Sequence, residues 1–156
     1  MVYPGAFSLW RCDTFWATLW SRTPAWMVTL ALPSTPESVT RAVEAAEGLS
    51  VQIGLSEETT SRVGLAVAEA VANAIEHGNR GIESSKVRVH LAPEAHMLHV
   101  SIHDEGHGVD SEQLREASLP DDPLQTGGRG LFLIRELSDR AEAAGSRLSL
   151  WFSDRS

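Results

Sequence analysis

The order of the hydrophobic periods along the chain constrains its fold most. Apolar residues recur every three or four positions from Glu37 to Ile53 and from Glu57 to His77, whereas they alternate from Lys86 to Ala92 and from Met97 to Asp104. The first pattern predicts two amphipathic helices and the second predicts two strands. Because no strand–helix–strand rhythm follows, we predict an α+β fold in which helices cover one face of a mixed, mostly antiparallel sheet.

Shorter signals predict the remaining elements. They are a strand from Trp26 to Ala31 that stops at Leu32-Pro33, a helix cap at Ser34 or Thr35, a hairpin turn over Pro93-Glu94-Ala95-His96, a short helix from Ser111 to Glu116, a helix from Gly130 to Ser138, and a final hairpin closed near Gly145. Leu148, Leu150 and Phe152 alternate in the last of these, which is typical of a strand with one buried face.

Composition excludes several classes of function. The 156 residues carry 13 Lys+Arg against 21 Asp+Glu, a net charge of −8, which disfavours binding to nucleic acid or to an anionic membrane surface. No apolar run is long enough for a membrane span. The single cysteine, Cys12, cannot form an internal disulfide, so we expect a reducing compartment and a cytoplasmic protein.

The first 26 residues differ in composition from the rest. Four of the five tryptophans lie at Trp10, Trp16, Trp20 and Trp26, without a helical or strand period. We therefore separate an N-terminal extension, residues 1–25, from a domain over residues 26–156. The extension could be ordered, could bind a partner, or could be translated sequence upstream of the true start.

Polar residues interrupt the second helix on one side. At 100° per residue, Glu69, Asn73 and Glu76 share a stripe opposite the apolar residues, which are Val63, Val67, Ala70, Val71, Ala74 and Ile75. A solvated face would explain such a stripe. Asparagine, however, is a poor helix former, and a surface position in mid-helix would ordinarily carry Lys, Glu or Gln, which speaks against a purely solvated face.

A carboxylate follows the strand that begins at Met97. Parity places Asp104 on the face that the helices must cover, so its carboxylate needs a partner. It could accept backbone N–H groups in a turn, with Gly106 and Gly108 at positive φ. Alternatively, it could accept a hydrogen bond from a ligand amine while the two glycines let a flat ring approach the backbone.

The stretch from Thr126 to Leu131 is rich in glycine and precedes an apolar helix. Free N–H groups at a helix N-terminus favour an anion, so this is a candidate phosphate site, although a flexible loop would look similar. Its spacing matches neither the P-loop nor the dinucleotide-binding fingerprint.

Together, in this order, Glu69–Gly78, Asp104–Gly108 and Gly127–Ile134 resemble the N, G1 and G2 boxes of the GHKL ATPase superfamily. Within it they look most like the anti-sigma factor serine kinases, over about Trp26 to Phe152. The resemblance implies a two-layer α/β sandwich that binds ATP and Mg²⁺ under a mobile lid. It also implies a kinase that phosphorylates a serine of a STAS-type anti-anti-sigma factor and binds and inhibits a sigma factor. Relatives of this kind often act as homodimers.

The same resemblance implies a role for each matching residue. Asn73 would ligate Mg²⁺, Glu69 would be the general base, and Asp104 would accept from the adenine amino group, with Gly106 and Gly108 lining the base. The lid would run from Leu119 to Thr126. The remaining nucleotide-binding residues would be Thr126, Gly127, Gly128, Arg129, Gly130 and Leu131, whose glycines would close on the phosphates.

Two alternatives stay open. The chain could be a binding module that holds a sigma factor in a nucleotide-dependent way without kinase turnover, although the presence of Glu69 speaks against this. A metal site made of His90, His99 and His103 is the other, but these residues lie on the polar sheet face, where a solvated surface is the simpler interpretation.

Overall fold

A computed structural model describes residues 27–119 and 129–155 of the chain. Its strands are Val28–Pro33 (β1), Lys86–Glu94 (β2), Met97–His103 (β3), Arg140–Ala144 (β4) and Arg147–Phe152 (β5). Its helices are Pro36–Gln52 (α1), Glu57–Asn73 (α2), Ser111–Glu116 (α3) and Arg129–Leu137 (α4), and a π-helical turn, Ala74–Gly78, continues α2. The N-terminal extension and nearly all of the predicted lid lie outside the described residues.

The five strands form one sheet in the order β1-β2-β3-β5-β4, and each neighbouring pair is antiparallel. The register aligns the predicted apolar positions across the strands: Val89 faces Ile102, which in turn faces Leu148. All three side chains are at most 4% exposed. The α+β prediction is therefore confirmed, with helices covering the apolar face of the sheet.

Helix α2 lies at the centre of the helical layer and contacts α1 on one side and α4 on the other. Its residues Val63, Val67 and Val71 are fully buried. Burial of a valine side chain of this kind contributes about 1.5–3 kcal/mol, so this face holds α2 in place. The side of the helix that carries the polar stripe is thereby directed away from the core.

A buried arginine near the start of α2 binds groups next to α4, β4 and β5. Arg62 is 7% exposed and donates to the Leu137 carbonyl at 2.9 Å, the Asp139 carboxylate at 3.1 Å and the Ser153 carbonyl at 2.6 Å. These groups belong to the end of α4, the residue before β4 and the residue after β5. Since an arginine is seldom buried without partners, the network defines the position of α2.

Two predicted strand boundaries need correction. Strand β1 begins at Val28 and extends through Leu32 and Pro33, where the sequence predicted its end. Strand β2 runs through Pro93 and Glu94, so the hairpin turn contains only Ala95, at φ +55°, and His96. Pro93 is tolerated because β1 pairs with β2 only as far as Leu91, so no neighbour on that side needs its missing N–H.

The helix caps are confirmed in part. Ser56 caps α2 by accepting from the Thr59 amide at 3.2 Å, as its position predicts. Thr35 occupies the cap position of α1, but its side chain makes no capping hydrogen bond. Pro36 follows it and Ser38 instead donates to the Pro33 carbonyl at 2.6 Å. Among the described helices, none is long and apolar enough to cross a membrane.

Candidate active site

A cavity of about 160 Å³ opens between α2, the end of β3 and the first turn of α4. Small-molecule sites commonly measure about 300–1,000 Å³, so this cavity has room for one ring system of a larger ligand. Its apolar wall includes Ile102, Val109, Leu131 and Leu148. Its polar lining residues are Asn73, His77, Asp104, Gln113 and Ser146. Apolar walls with a few convergent polar groups are typical of a ligand site.

Asp104 lies one residue beyond β3 and is 5% exposed, as its parity predicts. Its Oδ1 accepts from the amides of Gly106 at 2.8 Å and Gly108 at 3.2 Å. Asp104 therefore accepts backbone N–H groups in a turn, as the first of its two interpretations predicted. These hydrogen bonds occupy one carboxylate oxygen, while Oδ2 accepts no hydrogen bond from the described residues. The carboxylate can hold the turn and still receive a ligand donor.

Close backbone approach explains the glycines beside this carboxylate. A Cβ at Gly78 would lie 2.4 Å from the Asp104 Cγ, and a Cβ at Gly106 would lie 1.7 Å from the Gly78 carbonyl oxygen. Gly108 has φ +70° and its Cβ would lie 2.2 Å from the Gly145 oxygen. The expectation of positive φ is confirmed for Gly108 and wrong for Gly106, which is required instead by its contact with Gly78.

Glu69 and Asn73 project from α2 toward the first turn of α4. A Cβ at Gly130 would lie 2.9 Å from Glu69 Oε2 and 3.1 Å from Asn73 Nδ2. The Asn73 Nδ2 atom is buried and has no hydrogen-bond partner among the described residues. Buried polar atoms are nearly always paired, so this amide indicates a place for a ligand.

The polar stripe does not extend along the whole predicted helix. The α-helix ends at Asn73, and residues 74–78 form a π turn closed by the Asn79 amide on the Ala74 carbonyl at 2.7 Å. A π turn is wider than an α turn, so the angular extrapolation fails there, and Glu76 is exposed. Glu69 and Asn73 remain together, whereas Glu76 does not line the cavity.

Only part of the predicted glycine-rich stretch can be placed. Arg129, Gly130 and Leu131 form the first turn of α4, and Gly130 and Leu131 line the cavity. Thr126, Gly127 and Gly128 lie outside the described residues. The beginning of α4 thus faces Glu69 and Asn73, at the kind of helix terminus that favours anions.

Residues 32–153 match the family model described as the histidine kinase-like ATPase domain. The match covers every described element from the end of β1 onward. The chain belongs to this family of ATPase domains.

Within the family, the chain belongs with the RsbW serine-protein kinases. The serine-protein kinase RsbW of Listeria monocytogenes is 31% identical to this ATPase domain over 118 aligned residues, in a match that covers 72% of this chain and 75% of the relative. The RsbW of Oceanobacillus iheyensis is 30% identical with the same coverage. The crystal structure of the RsbU and RsbW domains of a Mycobacterium tuberculosis protein has a TM-score of 0.58 at 17% identity, which shows the shared fold. The match covers 86% of this chain and 33% of that one.

The histidines of the outer sheet face of this ATPase domain do not form a metal site. His90 pairs with Thr29 at 3.0 Å, His99 with Glu94 at 3.0 Å, and His103 with Ser146 at 2.5 Å. No group of three potential ligands that could hold a metal exists among the described residues. The metal alternative is therefore wrong.

Sequence reasoning missed several residues of the site. His77, Gln113 and Ser146 line the cavity, and Gly78 and Asn79 support the Asp104 turn. His77 and Gly78 lie within the stretch that resembles the N box, but the resemblance assigned no role to either of them. Asn79 lies beyond the helical period and before the strand period, so no pattern could have indicated its contacts.

Proposed function

We propose that this chain binds ATP with Mg²⁺ and transfers the γ-phosphoryl group to a serine of a STAS-type anti-anti-sigma factor. One observation carries the proposal. Asn73 and Asp104 line the same cavity, and Glu69 lies one helical turn before Asn73, against the first turn of α4. The membership in the histidine kinase-like ATPase domain family supports ATP as the nucleotide, and the name of the RsbW relatives supports serine as the acceptor.

The cavity suits adenine. Its apolar walls can enclose a flat ring, and Asp104 Oδ2 can accept a hydrogen bond from the adenine amino group. Guanine presents a carbonyl oxygen at that position, which would face the carboxylate acceptor to acceptor. The site should therefore bind ATP in preference to GTP.

Asn73 fits the role of a magnesium ligand. Mg²⁺ is held by hard oxygen ligands, usually one or two from the protein together with phosphates and waters, and Asn73 offers an amide oxygen. Its Nδ2, buried without a partner among the described residues, would donate to a phosphate oxygen. When bound there, Mg²⁺ would supply neutralisation of the charge on the phosphates.

Glu69 is placed to act on the acceptor hydroxyl. Its carboxylate would take the proton from the serine Oγ while Oγ bonds to the γ-phosphorus and the bond to the β–γ bridging oxygen breaks, which releases ADP. The first turn of α4 would stabilise negative charge on the transferred group through its backbone N–H groups. The glycine-rich residues Thr126, Gly127 and Gly128 would contribute to the same phosphate site.

We also propose that the chain binds and inhibits a sigma factor, because its three boxes resemble those of the anti-sigma factor serine kinases. A kinase of this type would release the sigma factor when its unphosphorylated partner competes for it. Phosphorylation of that partner would then favour the inhibited complex.

The test pairs nucleotide titration with single-turnover transfer. The purified chain is mixed with labelled ATP, Mg²⁺ and the candidate anti-anti-sigma proteins encoded by the same genome. Asn73→Ala should weaken Mg-ATP binding and abolish transfer together. Glu69→Gln should bind Mg-ATP nearly as well as the parent but lose about two to four orders of magnitude in transfer rate, the usual contribution of a positioned base.

Glu76→Gln is the matched control, because Glu76 is an exposed acid just beyond α2 that does not line the cavity. It should transfer phosphate at the parental rate. Equal rates for Glu69→Gln and the parent would remove Glu69 from the mechanism. If the parent binds ATP and the sigma factor but phosphorylates no candidate partner, the chain is a nucleotide-dependent binding module instead of a kinase.

A further inference from the structure

The Asn79 side chain is buried and uses its hydrogen-bonding groups on three different segments. It is 3% exposed. Its Nδ2 donates to Ser34 Oγ at 2.9 Å and to the Lys86 carbonyl at 3.0 Å, and its Oδ1 accepts from the Glu105 amide at 2.7 Å. The amide thereby connects the end of the α2 segment with the β1–α1 junction, the start of β2 and the loop after β3.

The hydrogen bond from the Glu105 amide to Asn79 lies next to Asp104, the carboxylate that is proposed to accept from the adenine amino group. Glu105 follows Asp104 directly, and the Asp104 Oδ1 is already held by the amides of Gly106 and Gly108. Gly78, the neighbour of Asn79, packs so closely on Asp104 that a Cβ there would lie 2.4 Å from the Asp104 Cγ. The segment 78–79 and the turn 104–106 are thus joined by contact on one side and by the Asn79 hydrogen bond on the other.

The contacts of Asn79 also connect the two parts of the candidate site, the end of α2 and the loop after β3. Asn73 lies at the end of α2, and the Asn79 backbone amide closes the π turn that follows it by donating to Ala74 at 2.7 Å. Asp104 belongs to the sheet layer. Asn79 is therefore bonded both to the segment that follows the proposed metal ligand and to the residue that follows the proposed base acceptor.

We propose that Asn79 is a positioning residue for nucleobase selection. Its Oδ1 holds the Glu105 amide and so fixes the direction of the Asp104 carboxylate in the cavity. Asn79 does not touch the nucleotide; it acts through Asp104. The inference rests on the proposed function, because it requires that Asp104 reads the adenine amino group.

The readout is the ratio of ATP to GTP affinity, measured by calorimetry on the full chain. In Asn79→Ala the Glu105 amide loses its acceptor, and we expect the ATP:GTP affinity ratio to fall roughly five- to tenfold, the effect of one average hydrogen bond. Asn79→Asp keeps an acceptor oxygen for Glu105 and should restore the parental ratio, even though it gives up the donors to Ser34 and Lys86.

Ser34→Ala is the matched structural control. Ser34 is 5% exposed and accepts from Asn79 Nδ2, so its loss also breaks a buried hydrogen bond of the same side chain. It leaves the bond between Oδ1 and the Glu105 amide intact. A structural role for Asn79 would make Ser34→Ala and Asn79→Ala behave alike, whereas a positioning role predicts that Ser34→Ala keeps the parental ratio.

A second measurement covers the case in which Asn79→Ala does not fold. Asn79→Ser leaves room for a water molecule, and amide hydrogen exchange at Glu105 reports directly on the broken bond. Faster exchange together with a lowered ATP:GTP ratio supports the proposal. An unchanged ratio overturns it in a folded Asn79→Ala variant, or in an Asn79→Ser variant whose Glu105 amide exchanges faster than in the parent. Failure of the parent to bind ATP at all would instead overturn the proposed function, so the two failures are distinguishable.

Discussion

Gly130 of α4 and Asn73 of α2 approach each other so closely that a Cβ on Gly130 would lie 3.1 Å from Nδ2 and 3.4 Å from Oδ1 of Asn73. The same Cβ would lie 2.9 Å from Glu69 Oε2. A glycine at this position therefore brings the backbone of the first turn of α4 onto the two polar groups of α2. A larger residue would separate the proposed phosphate-binding end of α4 from the proposed metal ligand and the proposed base.

Gly130→Ala should lower the rate of phosphotransfer with little change in the free energy of unfolding. Gly130 lies in the first turn of α4, where the gain in helix propensity is offset by the displacement of Glu69, so the free energy of unfolding should change by no more than about 1 kcal/mol. The methyl group would displace the Glu69 carboxylate and press on Asn73, so phosphotransfer should fall at least about tenfold. Urea unfolding and single-turnover transfer check the two parts. Parental transfer in this variant would show that the close approach is unimportant for function.

Asp104→Asn should weaken ATP binding. The substitution keeps an Oδ1 acceptor for Gly106 and Gly108, but it turns Oδ2 into an amide donor that would face the adenine amino group. Loss of a charge-assisted hydrogen bond costs about 1.5–3 kcal/mol, so ATP affinity should fall roughly tenfold to a hundredfold. Calorimetry on the folded variant measures this. An unchanged affinity would remove Asp104 from the site.

The helices and strands of this fold could be predicted wherever one hydrophobic period runs unbroken along a single segment. The alternation from Leu98 to Ile102 also placed Asp104 on the buried face, because parity holds along a strand regardless of what packs against it. Extrapolation failed where the backbone changed its period. The π turn after Asn73 widened the helix, and Glu76 became exposed as a result.

Hydrophobic periods could not predict the contacts between segments that are far apart in the sequence. Gly106 is required by the Gly78 carbonyl, 28 positions earlier in the sequence, and Asn79 meets Ser34, Lys86 and Glu105 from three other segments. No period relates these residues. Their juxtaposition follows only once the helical layer has packed on the sheet, which is why Asn79 could be recognised only in the folded structure.

Two helical glycines should respond differently to alanine. A Cβ at Gly48 in α1 would have open space for 4 Å around it, whereas a Cβ at Gly64 in α2 would lie 2.1 Å from Glu47 Oε1. Gly48→Ala should therefore raise the free energy of unfolding by about 0.5–1 kcal/mol. Gly64→Ala should raise the free energy of unfolding by less than this, or lower it, because the Glu47 side chain of α1 must move away from α2. Urea denaturation of both variants tests this, and an equal gain would show that Glu47 moves without cost.

The last prediction concerns acid stability and the carboxylate that pairs with buried Arg62. Burial raises the pKa of Asp139, but hydrogen bonds from Ser153, Arg155 and Arg62 together outweigh it, so the folded-state pKa lies below its ordinary value. A depressed pKa means that the native state binds its proton less readily than the unfolded chain does. The stabilising contribution is therefore complete above the ordinary carboxyl pKa of about 3.9 and is lost as the pH falls through the lower folded value.

Asp139→Asn should accordingly lower the free energy of unfolding at pH 7, by about 1.5–3 kcal/mol for the lost charged hydrogen bonds. The difference between parent and variant should shrink as the pH falls below about 4, because the parent then loses the same contribution. Urea unfolding at pH 7, 5 and 3 measures it. Glu142→Gln is the control, since Glu142 pairs with Arg140 on the surface and should change stability by no more than about 1 kcal/mol. A parent–variant difference that stayed constant down to pH 3 would show that the Asp139 carboxylate does not stabilise the fold through its charge.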